Sequence, residues 1–350
     1  MRRGGSDARA LSALVRRLVS VSGGLWASPG GRGAGSILPP IRTTLFSLLV
    51  LLPACAPIPS VAPAPAATSA RAASAEAGVE RDETITVAAF NIQVFGRSKR
   101  AKPEVMRVLT AVAREVDVLL VQEIRDSSEQ TADIFLAAIN SPNSSNTASR
   151  RSYRMVEGPR LGRTRSKEQY AVYYDSDRVR LLDAYTLRDP RDVFEREPLV
   201  ATFRAGNFDF SIVGCHIKPD DAEAELRALS RSVEGIIAAN PAERDVIVLG
   251  DFNADGRYLN ENRLVSIFPR DRYHVVITND LDTMTTSNNT YDRIILRSET
   301  FDHEYVAASA EVFEFDKVFG IQDARLVRSV SDHYPVIARF RISAPDDDGR

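Results

Sequence analysis

Gly250-Asp251-Phe252-Asn253 follows the apolar run 246–249, and Ser331-Asp332-His333 stands just ahead of Val336-Ile337-Ala338. An apolar run that ends in Asp-x-Asn puts two oxygen donors where a strand meets solvent. Hard oxygen donors of this kind suit a divalent cation such as Mg²⁺ or Mn²⁺. The Asp332-His333 pair adds a third carboxylate and a proton-transfer group that titrates near neutral pH. Taken alone, Asp-x-Asn after a strand is more often a turn or an Asx cap. Recurrence of the pattern along the chain reverses that reading.

Residues 87–90 run into Asn91, and residues 118–121 run into Gln122-Glu123. Residues 210–213 lead through Gly214-Cys215 to His216, while Tyr291-Asp292 opens the run 293–296. A buried strand normally ends in turn formers such as Gly, Pro or Ser. Here six strand-like runs begin or end on Asn, Glu, His or Asp instead. The chain has four histidines, and two of them, His216 and His333, fall at such ends. His274 and His303 lie in polar surroundings and are expected at the surface. An acidic cleft with two histidines is the layout expected for metal-assisted phosphodiester hydrolysis.

At these residues the chain resembles the endonuclease/exonuclease/phosphatase superfamily and, within it, the deoxyribonuclease I type. The resemblance rests on 88–92 (Ala-Ala-Phe-Asn-Ile), 122–127 (Gln-Glu-Ile-Arg-Asp-Ser), 250–255 (Gly-Asp-Phe-Asn-Ala-Asp), 291–294 (Tyr-Asp-Arg-Ile) and 331–336 (Ser-Asp-His-Tyr-Pro-Val), in that order. Leu161-Gly162-Arg163 with Lys167-Glu168, and Arg196-Glu197-Pro198, carry it into loops the wider superfamily does not share. The match covers roughly residues 84–342. It implies a four-layer α/β/β/α sandwich with its site at one end of the sheets. It also implies that Glu123 and Asn91 hold or organise one divalent ion, with Asp251, Asn253 and Asp332 around a second metal or phosphate subsite. His216 would pair with Glu168 and His333 with Asp292, with His333 assigned as base and His216 as acid. Arg125, Arg196, Arg163 and Tyr291 would contact the substrate.

Three departures mark this chain off. Ser166 stands where the deoxyribonuclease type has a tyrosine that packs into the minor groove. Gly256 and Asn289 replace the cysteines of its main disulfide, and residues 187–193 contain no Cys for the smaller one. Ca²⁺, which braces those loops in that type, is therefore a lesser candidate than Mg²⁺ or Mn²⁺.

The 350 residues carry a formal net charge of −2. Nine of the 45 basic residues but only five of the 47 acidic ones precede residue 84, so the remainder is about −6. Attraction to phosphate must then be local. A local basic run exists: Arg150, Arg151, Arg154, Arg160, Arg163, Arg165 and Lys167 face only Glu157. Such a run could follow several phosphates with salt-dependent, sequence-independent affinity.

The first 55 residues read as an export segment. Arg42 precedes an apolar stretch, 43–52, too short to span a bilayer as a helix. Leu52-Pro53-Ala54-Cys55 resembles a bacterial lipoprotein cleavage box with Cys55 as the lipidated residue. Residues 56–82 are a Pro/Ala-rich tether, residues 83–343 the catalytic domain, and 344–350 an acidic tail. The expectation is export from a bacterial cytoplasm, as a membrane-anchored lipoprotein or a secreted or periplasmic monomer. With Cys55 lipidated or removed, Cys215 has no disulfide partner, and a core thiol is its expected role.

Elements that could position the site alternate. Pro103 opens a helix with Val105, Val108, Leu109 and Val112 on one face. Asp220 or Asp221 caps another, with Leu226, Leu229, Val233, Ile236 and Ile237 aligned, and Asn240-Pro241 stops it. Strands are expected at 85–90, 116–121, 170–174, 199–203, 208–213, 246–249, 293–296 and 336–342. The resulting reading is a metal-dependent endonuclease acting on double-stranded DNA with little sequence preference. An alternative keeps the chemistry but takes a phospholipid head group or a small phosphodiester. An inactive binding module is disfavoured, because Glu123, His216, Asp251, Asn253 and His333 are all present.

Overall fold

The computed structural model describes residues 83–142 and 151–345, which fall in the second of two compact units, Ala67–Arg350. In one six-stranded sheet, β1 (Thr84–Phe95) and β2 (Val118–Ile124) run parallel at the centre. Beyond β2 come β4 (Gln169–Asp175) and β3 (Tyr153–Glu157), both antiparallel to their neighbours. On the other side lie β12 (Val336–Arg341) and β11 (Glu311–Val312). The second sheet repeats the plan around the parallel pair β7 (Phe208–His216) and β8 (Val246–Asp251). Beside β7 stand β6 (Leu199–Ala205) and β5 (Arg180–Thr186); beside β8 stand β10 (Asp292–Arg297) and β9 (Tyr273–Val275).

Parallel neighbours need a long crossover. The helix Pro103–Ala113 lies between β1 and β2, and the helix Ala222–Ala239 lies between β7 and β8. Both match the sequence expectation. The expected cap does not form, however, because the Asp221 carboxylate takes the Lys218 ammonium at 2.7 Å instead.

Alternation along each strand sends side chains to two different cores. Val87, Ala89 and Leu120 meet Ile212, Ile247, Leu249 and Ile294 between the sheets. Ala88 and Phe90 point outward to Val108, Leu109, Val112 and Phe135. Val213, Val248 and Ile295 pack outward on Leu226, Leu229 and Val233. The order of layers is helix, sheet, sheet, helix: the four-layer sandwich. Central strands buried on both faces read as largely apolar runs, and all eight expected strands are found. The four extra strands, β3, β5, β9 and β11, are all edges.

Two expectations need correction. The basic run does not form one groove. Arg150 lies outside the described residues. Arg151 pairs with Asp117 at 3.6 Å and Asp175 at 3.7 Å, beyond the start of β2 and thus far from Glu123. Antiparallel pairing of β3 with β4 carries Arg151 and Arg154 to that far end, so only the stretch from Arg160 onward nears the site. His274 is not a free surface residue either; its ring stacks on Phe301 at 3.8 Å, half-buried.

Candidate active site

The parallel pairs deliver Asn91 beside Gln122 in the C-terminal half of β1 and β2, and His216 beside Asp251 at the C-terminal ends of β7 and β8. Antiparallel β10 begins there, Asp292 opposite Asp251. β12 begins opposite Ala89, which brings the preceding His333 to the same end. Backbone conformation sharpens the placement. At Gly250, φ is +137°, and a Cβ would overlap the Cys215 carbonyl oxygen, so the close β7–β8 approach needs glycine. Glu123 and Asn253 sit in the left-handed region at φ +59° and +47°, a strain that clusters at functional sites.

Two histidine–carboxylate dyads result. His216 Nδ1 is 2.8 Å from Glu168 Oε2, and His333 Nδ1 is 2.7 Å from Asp292 Oδ2. The opposite ring nitrogens converge on one oxygen: His216 Nε2 is 3.5 Å and His333 Nε2 3.8 Å from Asp251 Oδ2. That oxygen also accepts Asn91 Nδ2 at 3.0 Å. Asn91 Nδ2 reaches Glu123 Oε1 at 3.2 Å, and Glu123 Oε2 accepts the Val94 amide at 2.8 Å. Asn253 donates its backbone amide to Asp251 Oδ1 at 3.0 Å and its side chain to Ile217 O at 2.9 Å. Asp332 accepts Gln93 Nε2 at 2.8 Å, with its other oxygen 3.8 Å from His333 Nε2.

Burial opposes charge on both dyads, and the partners decide the balance. Burial alone would raise Glu168, but the hydrogen bond from His216, then Arg196 and Arg125, hold it at about 2. Arg125 lies 2.6 Å and Arg196 3.4 Å from Glu168 Oε1. Burial and Arg196 push His216 down, yet the Glu168 hydrogen bond leaves it raised above the ordinary histidine value. His333 is also pushed down by burial, but Asp292, Asp251 and Asp332 lift it to about 10. Burial raises the Asp292 carboxyl, with His333 opposing.

The structure thus brings together Asn91, Glu123, Glu168, His216, Asp251, Asn253, Asp292, Asp332 and His333. Arg125 and Arg196 join them through Glu168. Arg163 does not; its guanidinium is held by Asp192, Glu195 and the Phe194 carbonyl. Tyr291 is half-buried beside His333, ring centroids 6.5 Å apart, and packs on Tyr258 at 5.6 Å. Gly256 and Asn289 are neighbours in space, since a Cβ at Gly256 would lie 2.9 Å from Asn289 Nδ2. Asp255 ties these loops without a disulfide, accepting the Thr290 amide at 2.7 Å and Asn289 Nδ2 at 3.4 Å.

Supporting residues escaped the sequence reading. Thr283 Oγ1 accepts the amides of Tyr291 at 3.0 Å and Asp292 at 3.2 Å, fixing the carboxylate of the second dyad. Ser331 Oγ donates to Asn91 O at 2.7 Å. Buried Lys99 donates to Val330 O at 2.9 Å, and burial lowers it to about 8. Buried Glu225 accepts the amides of Glu195 at 2.8 Å and Lys218 at 3.0 Å, beside Arg196 and His216. A lysine in Arg97-Ser98-Lys99-Arg100 carries no mark of burial; an Asp, Thr or Ser beside a motif residue does give a weak signal.

No three His, Cys, Asp or Glu side chains converge as a metal cage among the described residues. The available hard donors include the Glu123 and Asp332 carboxylates and Asn91 Oδ1; Asn91 Oδ1 and Asp332 Oδ1 are buried oxygens with no hydrogen-bond partner. Mg²⁺ keeps several waters and is held by one or two carboxylates plus substrate phosphate. The donor set fits such an ion and not a closed zinc site.

The family model described as "Endonuclease/Exonuclease/phosphatase family" matches residues 88–333. Deoxyribonuclease-1-like 1 of Cricetulus griseus is 35% identical over 261 residues, covering 73% of this chain and 83% of its own. Deoxyribonuclease-1 of Oryctolagus cuniculus is 33% identical over 264 residues, covering 72% and 91%. Among solved structures, humanized D. rerio TDP2 matches with a TM-score of 0.54 at 15% identity, over 74% of this chain and 99% of that one. At that identity the likeness concerns the fold alone.

Proposed function

We propose that this chain, which belongs to the endonuclease/exonuclease/phosphatase family, is a metal-assisted phosphodiesterase that cuts double-stranded DNA with little sequence preference. One observation carries the reading: the two imidazole Nε2 atoms face a common point at Asp251 Oδ2, each backed by its own carboxylate. Hydrolysis of a phosphodiester needs one group to take a proton from water and another to give a proton to the leaving oxygen. Two dyads facing one point can serve both ends of such a displacement.

The electrostatics favour a division of roles opposite to the one assigned from sequence. Glu168 shares its charge among His216, Arg125 and Arg196, so it biases His216 less. Asp292 is devoted to His333, which is held protonated at neutral pH. His333 is then the proton donor to the leaving 3′ oxygen, and His216 takes the proton of the attacking water. Asp251 and Asn253 orient the groups between them, and Asn91 links that centre to Glu123. A divalent cation held by Glu123 and Asn91 would neutralise charge developing on the phosphoryl oxygens. Arg125 and Arg196, at the edge of the site, favour a polyanionic substrate, as do the deoxyribonuclease names of the relatives. Ser166 offers no ring to stack, which supports weak base selection.

The test is nicking of supercoiled plasmid by the full chain. Nicking should require Mg²⁺ or Mn²⁺ and stop in excess chelator. His216→Ala and His333→Ala should each lower the rate about 10²-fold or more. Full nicking in chelator, or wild-type turnover by either variant, would refute the mechanism.

A further inference from the structure

Val94 carries two anomalies at once. It is a β-branched residue in the left-handed region, φ +51°, and its side chain is 51% exposed. That backbone conformation is an outlier for a β-branched residue. The turn itself has a local reason, because it aims the Val94 amide at Glu123 Oε2, 2.8 Å away, where the β1–β2 register shifts. Glycine would make the same turn without strain, so the backbone does not account for an isopropyl group. Packing does not account for it either; Val94 belongs to none of the three cores.

The surroundings supply a reason. Val94 lines a cleft of about 340 Å³ together with Arg97, Arg125, Ser127 and Ser128. The cleft adjoins the proposed ion position, since Arg125 Nη2 is 3.3 Å from Glu123 Oε2. Guanidinium and hydroxyl groups are phosphate chemistry. An apolar branched side chain on the same lip is not. A sugar–phosphate chain, however, alternates charged phosphates with sugar rings whose C–H faces are apolar. We infer that Val94 is a specificity-determining residue whose side chain packs on the sugar of the nucleotide next to the cut bond. The sugar lies between the phosphate at the dyads and its neighbour in the Arg97–Arg125 cleft. The inference rests on the DNA-cleavage reading and deepens it: the enzyme recognises a continuous strand and not an isolated phosphodiester.

Val94→Gly removes the contact and relieves the strain together, so stability and activity should move in opposite directions. Full-chain wild type, Val94→Gly and Val94→Thr are compared on duplex DNA and on a small chromogenic phosphodiester, with thermal melting alongside. For Val94→Gly the melting temperature should hold or rise, by up to ~3 °C. The ratio of duplex to small-substrate kcat/KM should fall about fivefold to tenfold, through duplex KM. Val94→Thr, which keeps the branched shape, should lie nearer wild type. A duplex KM within twofold of wild type for Val94→Gly overturns the inference, as does the reverse order of the two variants. A lower melting temperature with equal losses on both substrates makes Val94 structural and also overturns it. Wild type that fails to nick duplex DNA at all defeats the nuclease reading itself, before any variant is compared, and the inference falls with it.

Discussion

Asp292→Asn should strip His333 of the proton that the catalytic scheme assigns to it. The buried carboxylate lies 2.7 Å from Nδ1 and outweighs a burial that by itself would favour neutral imidazole. A unit charge about 4 Å away is worth about 4 kcal/mol at an effective dielectric constant of 20. That is roughly three decades of proton affinity, comparable with the rise of His333 from 6.5 to about 10. Asp251 and Asp332, each 3.8 Å from Nε2, remain and set a floor, while burial pulls the other way. The variant histidine should therefore titrate near its ordinary value. The sign follows: the donor form exists below the pKa and is lost as pH rises through it. Wild type should keep its activity until pH approaches about 10. In the variant the alkaline limb should move down by roughly three pH units, leaving only about three His333 in a hundred protonated at pH 8.5. Imidazole NMR reads this directly, since the chain has only four histidines to assign. The pH profile of kcat/KM gives the kinetic counterpart. A His333 resonance still titrating near 10 in Asp292→Asn, or an unmoved alkaline limb, would refute the reasoning.

Three other outcomes are expected. Arg196→Ala should lower duplex cleavage and flatten its salt dependence by about one ion; Arg163→Ala, whose guanidinium serves Asp192 and Glu195, should change melting more than the salt slope, and equal slopes would contradict this. Gly256→Cys with Asn289→Cys should oxidise to a disulfide that closes a loop of roughly 30 residues. The crosslink should stabilise by ~3 kcal/mol less the strain of cysteine at φ +58°, checked by thiol titration and melting with and without reductant. Cys55 lies outside the described residues, but the proposed lipid anchor predicts that Cys55→Ser shifts the protein out of the membrane fraction; a soluble mature form starting well past Cys55 would leave simple export.

The sequence discloses the central strands because β1, β2, β7 and β8 are buried on both faces and their runs are largely apolar, with only Thr86, Asp209 and Ser211 interrupting the stretches ahead of the site residues. Polar residues at the ends of those runs are visible for the same reason. Edge strands are hidden: β5 has no buried residue, and its mix of Arg, Leu, Asp, Tyr and Thr shows no alternating apolar face. Pairings within the site are also hidden. His216 meets Glu168 across 48 residues and His333 meets Asp292 across 41, and strand order, not local pattern, decides both. Only the family resemblance suggested those pairs. The basic run does not stay together because clustering in sequence is not clustering in space when the run climbs the length of an edge strand. Lys99 and Glu225 escaped for a different reason. Charged side chains are expected in water, and nothing local announces that backbone groups from two distant loops await them.

Each dyad joins the two sheets. His216 ends β7 of the second sheet, while Glu168 immediately precedes β4 of the first. His333 leads into β12 of the first sheet, while Asp292 begins β10 of the second. The bond from Asn91 to Asp251 crosses the same gap, from β1 to β8. Site geometry is thus a direct readout of how one sheet is seated on the other. Close packing between them fixes that seat: a Cβ at Gly214 of β7 would come within 2.7 Å of the Leu120 side chain on β2. A well-packed interior transmits displacement and does not absorb it. A shift of about 1 Å between catalytic groups is enough to cost orders of magnitude in rate. The inter-sheet core therefore does more than stabilise the chain. It holds the two halves of each histidine–carboxylate pair in register, and neither pair could form without both sheets.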